Sequence, residues 1–161
     1  MAAKAFVLGN NIDTDQLAPG RYMAAGIDKL AAHCLEVTYP RFSHLLSPGD
    51  VIVAGKNFGT GSSREQAVEA LKFLKISAVI ALSFAGIFYR NAINLGLPAI
   101  VCKDFTEIQD GDFVELRIPK NKLDVPSRNL SLDLEPIPQN LAEILNSGGL
   151  IPYLKNRLNP E

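Results

Sequence analysis

The chain has 161 residues, 47% of them apolar and 20% charged, with a formal net charge of −1. This fits one compact domain over residues 1–161, α/β or otherwise, with an ordinary globular composition. The balance leaves no basic excess for nucleic acid and no charge block for a membrane surface. Cys34 and Cys102, the only cysteines, are too few for a four-cysteine metal centre or a disulfide scaffold and read as free thiols of a reducing compartment.

The opening "MAAKAFVLGNNIDTD" has no long apolar core behind a basic start, so it reads as the entry to a strand and not as a signal peptide. No run approaches the roughly 20 apolar residues of a membrane span, and the cytoplasm is the default location. "KAFVLG" (4–9) is a short apolar run stopped by Gly and Asn, a strand signal. "NNIDTDQLAPGRYMAAG" is a loop, and long for a connection, which is where function tends to reside. "IDKLAAHCLE" (27–36) spaces Ile27, Leu30, Ala31 and Cys34 as a helix does. "VIVAG" and "AVIALSF" are β-branched runs of buried strands, and "LPAIVC" is a third. Between the first two, Ala67, Ala70, Leu71 and Leu74 form one helical face. "AGIFYRNAINLG" reads as a helix closed by Gly96. Beyond Cys102 the pattern becomes alternating, in "DGDFVELRI", "NKLDV" and "NLSLDLE", which favours antiparallel strands. "PQNLAEILNSGG" and "LIPYLKNRL" are two closing helices. The sum is an α/β fold with a mixed sheet and flanking helices.

The chemistry concentrates in "GKNFGTGSSREQAVEALK" (55–72), between a buried strand and a helix. Glycines let a ligand approach backbone, and a helix start attracts anions. The loop lacks the Gly-Lys-Ser/Thr of a Walker A motif and the third glycine of a dinucleotide fingerprint. Ser62 and Glu65 have capping-box spacing, which accounts for a well-built helix start. It leaves Ser63 and Arg64 unexplained. An arginine opposes the macrodipole at a helix start, a placement that makes sense with a carboxylate or phosphate between the two. Upstream, Asp13, Thr14 and Asp15 follow a strand, with an Asx-type turn as the structural alternative. Asn91 and Asn94 share a face of a helix, either capping loops or lining the same pocket. His33 and His44 have no metal-ligand spacing and read as helix-surface and loop residues. With no evident general base, metal set or nucleophile–histidine pair, the chain would supply only part of an active site.

"NIDTDQLAPGRYM", "AGKNFGTGSSREQA" and "VIALSFAGIFYRNAINLGLP" occur in this order and spacing, and together they resemble the small subunit of 3-isopropylmalate dehydratase, itself similar to the swivel domain of aconitase. The resemblance covers roughly residues 4–158. It implies a swivelling β/β/α domain, no cofactor bound by this chain, and a large-subunit partner carrying a [4Fe–4S] cluster. The substrate implied is a small dicarboxylate, 2- or 3-isopropylmalate, interconverted by dehydration and rehydration. By the same resemblance Ser62 is the catalytic base, Asp15 an active-site aspartate, and Ser63 and Arg64 bind substrate carboxylate. The loop Tyr22, Met23, Ala24, Ala25 meets the substrate's variable group. Relatives acting on a tricarboxylate place arginine in that loop; the small and apolar residues here favour an alkyl-malate, although Arg21 sits immediately before. Gln66 departs from the histidine common in the family. Citramalate, dimethylmalate and homoaconitate are rival substrates, and a stand-alone carboxylate-binding module is the rival from another class.

Overall fold

The fold is built on seven strands: β1 (Ala3–Val7), β2 (Val51–Ala54), β3 (Ala78–Ala81), β4 (Ala99–Val101), β5 (Phe113–Arg117), β6 (Lys122–Val125) and β7 (Leu130–Asp133). The computed structural model describes residues 2–160. The strands form one sheet in the order β4-β3-β2-β1-β5-β6-β7. The first four are parallel, in registers such as Phe6↔Ile52, Val53↔Ile80 and Ile80↔Ile100. The remainder add antiparallel through β1, with Ala3 opposite Val114 and Leu116 opposite Leu123. The two patterns in the sequence thus become two halves of one mixed sheet.

Every residue of β2 and β3 is buried, because both faces are covered. Alternation along the strands sends Ile52, Ala54, Val79 and Ala81 to one core cluster with Phe6, Leu30, Leu71 and Phe88. It sends Val51, Val53, Ala78 and Ile80 to a second cluster with Val114, Leu123 and Val125, over which the antiparallel half curls. Burying each large side chain contributes about 1.5–3 kcal/mol.

The helices are α1 (Thr14–Leu17), α2 (Ile27–Ala32), α3 (Phe42–Leu45), α4 (Glu65–Phe73), α5 (Gly86–Asn94), α6 (Gln139–Asn146) and α7 (Leu150–Leu158). α4 buries Ala67, Val68, Ala70 and Leu71, the face its periodicity marks. α5 is capped by Leu95, with Gly96 following at φ +78° as expected of a terminating glycine. α2 is shorter than its pattern. Leu35 adopts φ +57° and its N–H donates to the Gln16 carbonyl at 2.8 Å, so the chain leaves the helix to join α1. The segment read as loop between β1 and α2 itself holds α1 and a 3-10 turn at Gly20–Tyr22. Cys34 and Cys102 are buried free thiols, and burial pushes both above the ordinary thiol range. Among the described residues no helix is long and apolar enough to cross a membrane.

Candidate active site

The three polar stretches of the sequence all follow parallel strands: residues 8–15 follow β1, 55–64 follow β2 and 82–86 follow β3. They therefore meet at the carboxyl ends of the parallel half, where open α/β sheets bind ligands. Backbone hydrogen bonds fasten them together. Gly59 N donates to Ile12 O at 2.7 Å, Thr14 N to Thr60 O at 2.9 Å, and Ala85 N to Phe58 O at 2.9 Å. Gly59, at φ +82°, is a point of close approach: a Cβ built there would lie 2.2 Å from Cγ of Phe88.

The expected capping box at Ser62 and Glu65 does not form. Thr14 Oγ1 donates to the Ser62 carbonyl at 2.8 Å, Arg64 is extended at φ −130°, and α4 begins only at Glu65, with no side-chain cap. The capping box lies instead at α1, where Asp13 accepts from Gln16 N at 2.8 Å and Gln16 Oε1 accepts from Asp13 N at 2.8 Å. Asp13 is thereby a structural residue. The shift frees Ser62 and Ser63: both are exposed, and among the described residues neither hydroxyl makes a hydrogen bond.

Arg64 turns back across the site. Its Nη1 donates to Asp15 Oδ1 at 2.8 Å and to the Ala18 carbonyl at 2.9 Å, while Nε and Nη2 make no hydrogen bond among the described residues. The Arg64 side chain is 23% exposed and the Asp15 side chain 69%. The Arg64 hydrogen bond, then that from Gly20 N, holds the Asp15 carboxyl below its ordinary value. Asp15 therefore offsets the unfavourable placement of Arg64 within the chain, so that placement alone no longer signals a ligand. The signal is the unused part of the fork.

A cleft of about 160 Å³ opens here, lined among others by Thr14, Gly61, Ser62, Arg64, Ile87 and Asn91. Its far wall is the first turn of α5, whose amides lack a side-chain cap. Helix-terminal amides and a part-used guanidinium make the cleft favourable for a carboxylate. Asn91, left open by the sequence, lines this cleft; Asn94 does not and is exposed. Gln66 is half-buried on the first turn of α4 without a hydrogen bond among the described residues.

Tyr22, Met23, Ala24 and Ala25 do not line the Ser62 cleft. Tyr22 stacks on His33, ring centroids 3.7 Å apart and planes 5° apart, and the Arg21 guanidinium lies 4.9 Å from the Tyr22 ring centroid. Met23 is half-buried against the first core cluster, and Ala24 and Ala25 are exposed. The link to the site is Gly20, where a Cβ would stand 3.9 Å from Arg64 Nη2. His33, expected on a helix surface, terminates α2 and contacts Glu36; His44 is exposed in α3. Glu36 escaped sequence reasoning, although its i,i+3 spacing from His33 was a usable signal. Among the described residues no group of three or more His, Cys, Asp or Glu side chains is placed to hold a metal.

A glycine loop, an Asp–Arg pair and free serines at the carboxyl edge of a mixed sheet define a swivel-type domain of the aconitase class; residues 44–104 match the family described as Aconitase C-terminal domain. The 3-isopropylmalate dehydratase small subunit of Halothermothrix orenii is 50% identical over 91% of this chain and 90% of its own. The methanogen homoaconitase small subunit of Methanocaldococcus jannaschii is 47% identical over 96% of this chain and 91% of its own. The crystal structure of 3-isopropylmalate dehydratase from the same organism superposes with a TM-score of 0.92 at 46% identity, covering 98% of this chain and 94% of that one. The chain belongs to the 3-isopropylmalate dehydratase small-subunit family.

Proposed function

We propose that the chain, acting as one domain in the cytoplasm, is the small subunit of a hydro-lyase that interconverts 2- and 3-isopropylmalate in leucine biosynthesis, active only with a large subunit. Kinship at 50% identity over nearly the full length of a dehydratase small subunit supports the reaction class. The observation that carries the residue assignment is the uncommitted Ser62 hydroxyl in a cleft beside a half-used guanidinium.

Dehydration needs a base for the proton beside a carboxylate and a Lewis acid for the departing hydroxyl. A [4Fe–4S] cluster on the large subunit supplies the second when bound. Ser62 Oγ accepts the proton and returns it at the neighbouring carbon on rehydration, so that one water leaves and one is regained. A serine hydroxyl is a weak base in water; Arg64 and the first turn of α5 supply the positive potential that favours its alkoxide. Nε and Nη2 of Arg64, with the Ser63 hydroxyl, hold a substrate carboxylate. Asp15 keeps the guanidinium aimed by occupying Nη1. The Tyr22–Ala25 loop, beginning beside Arg64 at Gly20, meets the substrate's alkyl group in the assembled enzyme. It carries no charge to compensate the desolvation of a third carboxylate, which favours an alkyl-malate. Homoaconitate is the second reading, supported by the 47% identical relative of that name.

The test is anaerobic reconstitution with a cluster-bearing large subunit, assayed on 2-isopropylmalate, citramalate and homoaconitate in parallel. Turnover fastest on isopropylmalate, with copurification of the two chains, is expected. Association with no such partner and no activity on any of the three would refute the reading.

A further inference from the structure

Thr14 lines the Ser62 cleft and is only 3% exposed. Its backbone is fastened on both sides: its N–H donates to Thr60 O at 2.9 Å, and its carbonyl accepts from Ala18 N at 2.8 Å. A β-branched side chain is stiff at χ1, so the hydroxyl has a fixed aim. That hydroxyl donates to the Ser62 carbonyl at 2.8 Å, across 48 residues of sequence. Between the two anchor points Gly61, at φ +99°, brings bare backbone onto it; a Cβ built there would stand 3.3 Å from Thr14 Oγ1. What this hydrogen bond opposes is written into the sequence. Ser62 and Glu65 have the spacing of a capping box, and α4 starts at Glu65 with no side-chain cap on its orphan amides. Closing the box would turn residues 63 and 64 helical. Arg64 instead stands extended, at φ −130° and ψ 102°, and reaches Asp15 from that conformation. Glu65 is exposed, and its carboxylate makes no hydrogen bond or ion pair among the described residues.

We propose that Thr14 is a positioning residue: its hydrogen bond to the Ser62 carbonyl holds residues 63 and 64 out of α4 and so keeps the Ser62 hydroxyl from being consumed as that helix's cap. A serine whose oxygen accepts from a helix amide is stabilising for the fold and lost to proton transfer. Thr14 decides between these two uses from a rigid neighbouring segment, without touching the substrate. Its catalytic consequence rests on the function proposed above; its conformational consequence does not.

The test compares the wild-type chain with Thr14→Val, Thr14→Ser, Glu65→Ala and the Thr14→Val/Glu65→Ala double variant. In the full chain by itself, NMR follows the Arg64 Cα shift and the exchange of the Glu65 amide. Thr14→Val should move the Arg64 shift from the extended to the helical range and slow the Glu65 amide, while Thr14→Ser, which keeps the hydroxyl, should do neither. With the large subunit, Thr14→Val should lower kcat on 2-isopropylmalate by about ten- to a hundredfold, the scale of a misplaced reacting group. Thr14→Ser and Glu65→Ala should turn over like the wild type. The double variant should recover part of the loss, because the box then lacks one of its two reciprocal hydrogen bonds. A merely destabilising change would not be rescued by deleting Glu65. Thr14→Ala serves in place of valine if that variant does not fold. Wild-type shifts in the chain lacking the hydroxyl, a turnover loss equal in the single and double variants, or a Thr14→Ser chain as impaired as Thr14→Val each overturns the proposal. The expected shifts together with no turnover by the wild-type enzyme would remove the dehydratase reading and leave the conformational role standing.

Discussion

Replacing Gly59 with alanine should lower stability by more than backbone strain alone. The new Cβ would sit 2.2 Å from Cγ and 2.3 Å from Cβ of Phe88, against a comfortable separation of about 3.5–4.0 Å. Phe88 cannot swing aside: it is 2% exposed, edge-on to Phe58 at 5.1 Å and stacked with Phe84 at 6.3 Å. Overpacking of this kind costs about 1–3 kcal/mol. The backbone at φ +82° adds a left-handed penalty of about 1–2 kcal/mol. The sum is about 2–5 kcal/mol, and at about 2–4 °C per kcal/mol for a chain of this size the melting temperature falls by about 4–20 °C. Because Phe88 belongs to the first turn of α5, the cleft wall moves with it, and activity should fall beyond the loss of folded protein. Thermal and urea unfolding measure the effect, with Gly49→Ala as the control: Gly49 has φ +97° and nothing within 4 Å of a built Cβ, so only the backbone penalty applies. Equal destabilisation by the two substitutions would refute the packing argument.

Two further outcomes follow from the Arg64 geometry. Arg64→Lys leaves one ammonium to serve Asp15, Ala18 and a carboxylate together; losing one charge-assisted hydrogen bond should cost the reconstituted enzyme about ten- to a hundredfold in kcat/KM. In a carboxyl NMR titration Asp15 should ionise below its ordinary value of 3.8 and move up in Arg64→Gln. The sign follows from linkage: a folded-state pKa below the unfolded one stabilises at pH above the unfolded value, and that contribution is lost as the pH falls through the lowered folded value.

Much of the sheet was legible because strands buried on both faces must read as continuous apolar runs and half-wet strands must alternate. β2, β3, β6 and β7 follow that logic, whereas in β5 the apolar Phe113 is exposed. What the sequence concealed was set by contacts between distant segments. α2 stops early because Leu35 is captured by Gln16, and Ser62 escapes its capping role because Thr14 holds its carbonyl. A local motif such as S-x-x-E cannot report a competitor 48 residues away. The same holds for Arg64: its unfavourable position was visible in the sequence, but its partner Asp15 was not. The Arg21–Tyr22–His33–Glu36 cluster was hidden for the same reason, since it joins a loop to the far end of a helix.

The most direct test of the account is Ser62→Ala in the reconstituted two-subunit enzyme. The exposed hydroxyl makes no contact that holds the fold among the described residues, so the variant should melt and assemble like the wild type. Turnover of 2-isopropylmalate should nevertheless fall by about a thousandfold, the scale of a lost proton acceptor. A fully assembled variant with near-normal turnover would contradict it.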